Sequence, residues 1–387
     1  IELRYLDIGR LFPEWLKGTA LPYFVDWLLD NVDLVEITAF SDDDAYTIFE
    51  TMNDRGLNLT ATEMLKGYLL ANIELLDDKA TANDLWKKRV LEALELAKEE
   101  DTDFLKAWLR AKYAQTIREG KKGATNKDWE RIGTSFHKWV KDEKDALGLK
   151  VSADYRLFIM ERFNGYIGHY LRARRAAEKL SKGFEPLYYN ARNNFTLQYP
   201  LMLAPVREED DSETTDRKMR AVARFLDIFV ARRMVNSRTI AYSSVVYTMF
   251  NNLKDIRDLP IEKLVAVLKD KLAQMPENFD GIREFQLSQW SKTYVHHMLA
   301  RMTRHIEEQC GLTTHFESYI AAEGKKGFEI EHIWADKYAR HKDEFANEYE
   351  FRDYRNRFGG LLLLPKQFNT SYGDKPYKDK VGPYFGQ

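Results

Sequence analysis

Apolar positions recur at helical spacing over most of the chain. In MRAVARFLDIFVARRMV, Val222, Phe225, Leu226, Phe229 and Val230 fall on one helix face. In YVHHMLARMTRHIEE, Val295, Met298, Leu299, Met302 and Ile306 do the same. The pattern predicts a nearly all-α region from about residue 84 to 310, with EGKKGATNKD (119–128) and VREEDDSETTDRK (206–218) as exposed connections. Nearer the start, SDDDAYTIFETMNDRGLNLTATEMLKGYLL (41–70) predicts a helix-turn-helix hairpin. Ser41 and the acids after it suit a helix N-terminus, and Asn53-Asp54-Arg55-Gly56 is a turn in which Gly56 is free to take positive φ. The second helix opens on a capping box, Thr60 with Glu63, and Leu59 and Met64 have the spacing of a hydrophobic staple.

Past Gly311 the period changes. FEIEHIW (328–334) suits a short strand, 336–358 a charged and aromatic helix, and GGLLLLP (359–365) a second strand bounded by Gly and Pro. KQFNTSYGDKPYKDK then predicts a short helix or an irregular segment. The expected fold class is mainly α, a helical bundle with a small C-terminal α+β module.

Composition narrows the class. The chain has 387 residues, 44% hydrophobic and 31% charged, as expected of a soluble globular protein of two or three domains. No apolar run has the length of a membrane span, and no signal pattern opens the chain. The first residue is Ile1, and IELRYLDIGRLF reads as the middle of a longer sequence. The single cysteine, Cys310, excludes an internal disulfide and a Cys-rich zinc cluster and fits a reducing cytoplasm. A net charge of −2 gives no global pull toward nucleic acid, so contacts to DNA must come from local basic patches.

The chemistry gathers near the end of the chain. Strand alternation places His332 with Phe328, Ile330 and Trp334, opposite Glu331, which alone would suit a core histidine. A strand end or a bulge can re-aim both side chains. Phosphodiester hydrolysis needs an activated water and a neutralised phosphate. A neutral imidazole can take the proton, and a hard cation held by carboxylate and amide oxygens can polarise the phosphate. Glu331, His332 and Asn369 carry those groups.

Residues 328–380 resemble the ββα-metal nucleases of the HNH class. The resemblance implies that the C-terminal module is a ββα-metal fold, with His332 as general base, Glu331 and Asn369 as ligands, and Mg²⁺ or Mn²⁺ as cofactor. The middle Asn of that family stands in a Gly-Asn-Leu setting, where this chain has Gly359-Gly360-Leu361. Asn356, four residues before Gly360, is the stand-in and is counted with His332 as catalytic. More widely, AYTIFETMNDRGLNLTATEMLKGYLL and RNRFGGLLLLPKQFNTSYGDKPYKDK resemble parts of the GmrSD-type restriction enzymes, anti-phage nucleases that act on modified DNA. Those enzymes join a nucleotide-binding ParB-like domain, a helical region and an HNH module. The resemblance implies a ParB-like remnant at 1–80, a helical linker bundle at 81–310 and a nuclease domain at 311–387. The Asp-Gly-Gln-Gln-Arg motif of the first domain is missing, as is a P-loop, so a nucleoside triphosphate is implied only for a longer parent protein. Asn53, Arg55 and Gly56 match that domain's turn. They either border a nucleotide or DNA pocket or close a helix hairpin.

The implied partner is double-stranded DNA, specifically modified phage DNA, with no membrane and with oligomerisation left open. Basic groups for its backbone are Arg172, Arg174 and Arg175, then Arg232, Arg233 and Arg238, then Arg301 and Arg304 beside His297 and His305, and Lys375, Lys378 and Lys380 in the tail. Tyr188, Tyr189 and Phe195 near Arg192 could stack on a flipped base or pack in the core. His341 is expected on a solvated helix. The expected function is a metal-dependent DNA endonuclease. The alternatives are an HNH-like module that binds DNA or protein without cutting, and a nucleotide-controlled regulatory subunit.

Overall fold

The computed structural model describes residues 2–33, 38, 59–321 and 327–384. The chain divides into two compact units, 1–59 and 60–387. In the first, helices α1 (Glu2–Leu11) and α2 (Leu21–Asn31) flank two short 3-10 turns. Phe24 meets Phe12 edge-on, with ring centroids 5.9 Å apart. The turn carrying Asn53, Arg55 and Gly56 lies outside the described residues.

The second unit opens with α3 (Ala61–Ala71), whose capping box is present as the sequence predicts. Thr60 Oγ1 accepts from the Glu63 N–H, and the Glu63 carboxylate accepts from the Thr60 N–H at 2.8 Å. Helices α4 (Leu76–Leu94), α5 (Glu100–Lys112), α6 (Asp128–Asp142), α7 (Ser152–Leu157) and α8 (Asn164–Glu178) follow, with a π-helical turn at Phe158–Phe163 between the last two. Their core is aromatic: Trp86 stacks on Phe163 at 4.2 Å, and Trp108 is fully buried. Next come α9 (Glu185–Arg192), α10 (Gln198–Leu203), α11 (Ser212–Val235), α12 (Tyr242–Ile256), α13 (Ile261–Ala273) and α14 (Lys292–Gln309). The predicted stripe of α11 is buried throughout: Val222, Phe225, Leu226, Phe229 and Val230 all face the core. The stripe of α14 is buried only in its first half. Val295 and Leu299 are covered, whereas Met302 and Ile306 are exposed, because the hairpin described next packs only on the earlier turns.

That hairpin follows α15 (Phe316–Ile320). Strands β1 (Phe328–His332) and β2 (Leu361–Pro365) pair antiparallel, with Glu331 opposite Leu362 and His332 opposite Leu361. Ile330, Leu361 and Leu363 pack with Val295 and Leu299 of α14 and with Phe285 and Phe358. The segment between the strands is less helical than its composition predicts. Only α16 (Glu348–Arg355) and a 3-10 turn at Tyr338–Arg340 form. Asn347 stops helix from propagating backward by capping α16, its side chain accepting from the Glu350 N–H. The chain ends in α17 (Lys366–Tyr372) and α18 (Tyr377–Tyr384). The expected divisions at 80 and 310 both fall within the second unit. No helix of the described residues is long and apolar enough to cross a membrane.

Candidate active site

The exit of β1 is fastened to the C-terminal end of α16 and to the turn before β2. His332 Nε2 lies 2.8 Å from Asn356 Oδ1, the Trp334 carbonyl accepts from Arg355 Nε at 2.7 Å, and the Gly360 carbonyl accepts from the Ile333 N–H at 2.9 Å. An amide oxygen only accepts, so the contact holds the imidazole proton on Nε2 and leaves the Nδ1 lone pair for chemistry. Among the described residues Nδ1 has no hydrogen-bond partner, and it is not sealed from solvent. Burial lowers the His332 pKa below its ordinary 6.5, and the Arg355 charge lowers it further, against weaker opposing effects of Asn356, Glu331 and Asp336. The ring is therefore neutral at neutral pH. A Cβ at Gly360 would lie 3.1 Å from the Arg355 carbonyl oxygen, so a side chain there would crowd the turn that presents Asn356.

Glu331 and Asn369 take other positions. The pleat runs unbroken to His332, so Glu331 points to the opposite side of the hairpin, where it is buried against the terminal helix. Its Oε1 accepts from Lys380 Nζ at 2.5 Å and from the Tyr384 hydroxyl at 3.2 Å. Lys380 also donates to the His332 carbonyl at 3.3 Å. The Asn369 amide donates to Glu329 Oε2 at 3.2 Å, on the same side of the hairpin as Glu331. The expected convergence of Glu331, His332 and Asn369 is therefore not what the fold builds: it sets a His332–Asn356 pair on one side and a Glu331–Lys380 pair on the other. The donor types suit a hard cation, but their arrangement does not, because an ammonium already neutralises the Glu331 carboxylate and Asn369 turns to Glu329. Among the described residues no group of three or more His, Cys, Asp and Glu side chains is placed to hold a metal ion.

The basic clusters are largely consumed inside the protein. Lys380 is 1% exposed and belongs to the Glu331 pair, so it is not the surface phosphate contact expected of a lysine-rich tail. Arg301 grips Asp227 with two bonds, at 2.9 and 2.7 Å, over the Tyr189 ring. Arg304 bonds the Tyr189 hydroxyl and Glu308. Arg232 donates to the Leu272 carbonyl, Arg233 to the Thr239 carbonyl, and Arg172 pairs with Asp216. These arginines tie helices together. Arg175 and Lys375 are exposed and form no ion pair among the described residues. Tyr188 and Tyr189 pack in a core with Phe316 and Tyr319, which decides for packing over base stacking. His297 is a core residue, 5% exposed, and not part of a basic face. His341 lies outside any helix and is only partly exposed: its ring stacks on Trp334 at 4.6 Å and on Phe351 at 5.1 Å.

Two features escaped the sequence pattern. The Glu331–Lys380 pair spans a separation that no local spacing marks. Arg355 carried its only signal in RNRF, as the neighbour of Asn356.

Residues 262–386 match the family model for the C-terminal domain of GmrSD restriction endonucleases. No curated protein and no solved structure matches the chain. The matched stretch begins within α13, so it takes in α14, the helix on which the hairpin packs, together with both strands and the terminal helices. The C-terminal part of this chain is thus similar to the C-terminal domain of GmrSD restriction endonucleases, and that similarity points to a restriction-endonuclease role with DNA as the substrate class.

Proposed function

We propose that the C-terminal module hydrolyses DNA phosphodiesters as an HNH-like endonuclease of a restriction system that acts on modified phage DNA. The observation that carries this reading is the His332–Asn356 contact at 2.8 Å within the matched stretch. Asn356 holds the ring and its proton, and the lowered pKa keeps Nδ1 unprotonated. From there His332 Nδ1 takes a proton from a water as the water oxygen attacks phosphorus, the P–O bond to one sugar oxygen breaks, and the departing alkoxide takes a proton from solvent; the base contributes roughly 10²–10⁴-fold. Mg²⁺ or Mn²⁺ remains the expected cofactor of such an enzyme, but no step is assigned to it, since the proposed ligands Glu331 and Asn369 are engaged elsewhere.

The engagement of Glu331 with Lys380 favours a second reading, in which the module binds DNA or a protein without cutting it. A carboxylate closed onto a buried lysine is what a module that had given up its metal would show. One experiment separates the two. Wild type and His332→Ala are incubated with plasmid and modified phage DNA, with Mg²⁺, with Mn²⁺ and with a chelator. The endonuclease reading expects cleavage by wild type and none by the variant at unchanged DNA affinity. Binding without cleavage in every condition favours the second.

A further inference from the structure

A cleft is lined by Ile333 and Arg355, the chain neighbours of His332 and Asn356, together with Trp334, Tyr354, Gly360 and Arg283. Other partly buried arginines of the unit spend terminal nitrogens inside the protein: Arg110, Arg232 and Arg257 form no ion pair among the described residues but donate through Nη to backbone carbonyls. Arg174, Arg301 and Arg304 each close onto a carboxylate. Arg355 spends only Nε, on the Trp334 carbonyl, which fixes the plane of its guanidinium. Among the described residues neither of its Nη atoms has a hydrogen bond or an ion pair, and both remain accessible. Burial lowers its pKa, and Arg352 adds to this, while Asp336 and Glu331 oppose it only at a distance. A guanidinium keeps its proton even so.

A half-buried cation with two unspent donor groups is poised for an anion that the protein does not itself supply. Its charge reaches His332, whose pKa it lowers. The planar fork matches the non-bridging oxygens of a phosphate diester, and the glycine wall at Gly359 and Gly360 puts no side chain in the way. Arg283 is exposed and unpaired among the described residues.

We propose that Arg355 binds the scissile phosphate through its two Nη groups, holding phosphorus within reach of the water that His332 activates. This rests on the endonuclease reading above. The test uses the full chain. Binding of a fluorescein-labelled DNA duplex is measured by anisotropy across a KCl series, with His332→Ala as the uncut background, with and without Arg355→Gln. The slope of log Kd against log salt should fall by about 0.9, one phosphate contact. In cleavage, Arg355→Gln alone should lose roughly 10²–10³-fold in kcat. An unchanged slope overturns the proposal, even if kcat falls, since Arg355 would then only position Trp334. A lowered slope with unchanged kcat overturns the assignment to the scissile phosphate. If wild type does not cut, the endonuclease reading fails, and the slope alone still decides whether Arg355 meets phosphate. Should Arg355→Gln melt early, phenylglyoxal labelling of wild-type Arg355, read by mass spectrometry, takes its place. Protection by the duplex is expected, and equal labelling with and without DNA overturns the proposal.

Discussion

The ring of His332 has its proton and its tilt set by one carboxamide. Asn356→Ala removes that constraint without touching the water or the phosphate. It should therefore lower kcat, by about 10²-fold, and leave DNA affinity unchanged. Single-turnover cleavage beside a binding isotherm checks this, and a variant that weakens affinity instead would make Asn356 a DNA contact. The pH dependence follows from the same neighbourhood. A His332 pKa below 6.5 places the acidic limb of the wild-type kcat/KM profile below pH 6.5. Replacing Arg355 by Gln removes a lowering charge and should move that limb upward. At this scale the sequence was informative about residue types and less so about geometry. Glu331-His332 and Asn356 stand out as chemistry-bearing groups in their strings. Alternation already set Glu331 opposite His332, and the strand neither bulges nor ends before His332, so nothing re-aims the two side chains to one side.

The hairpin is a thin element between two kinds of contact. One face is apolar and rests on α14. The other turns Glu331 into a buried pair with Lys380 at 2.5 Å. A buried pair of this kind adds little net stability, but breaking it leaves a desolvated charge. Lys380→Met should cost about 3–5 kcal/mol in denaturant unfolding, and adding Glu331→Gln should recover much of that. The single variant also probes the cofactor directly, because it frees the carboxylate. Calorimetric Mn²⁺ binding gained by Lys380→Met and absent from wild type would show the lysine occupying a metal position. No binding by either protein would leave Glu331 purely structural. The strands and the capping box at Thr60 were legible because each follows from local pattern. The segment 336–358 was not, because its aromatic side chains are fixed by stacking among Trp334, His341 and Phe351 rather than by helical period. Nor were the paired arginines, since a basic run on a helix looks the same whether its carboxylates lie in solvent or on the next helix.

Across the second unit, buried polar groups make stability depend on pH. His297 sits among Tyr189 and Phe316 with its Nε2 unpaired, and burial with the charges of Arg301 and Arg192 lowers its pKa to about 3. Its folded value lies below its unfolded one, so the unfolded chain binds the proton first as pH falls. Stability should decline below pH 6.5, by about 2 kcal/mol by pH 5 from this group. Thermal melts across that range should show the slope, and His297→Leu should flatten it; an equal slope in the variant would assign the titration elsewhere. The proposed endonuclease function turns on the pair at the end of β1. Its most direct measurement is single-turnover cleavage of modified phage DNA by purified wild type and His332→Ala, with DNA affinity measured alongside. The account predicts a loss of at least about 10²-fold in the variant at equal affinity. Equal cleavage by the two proteins would contradict it.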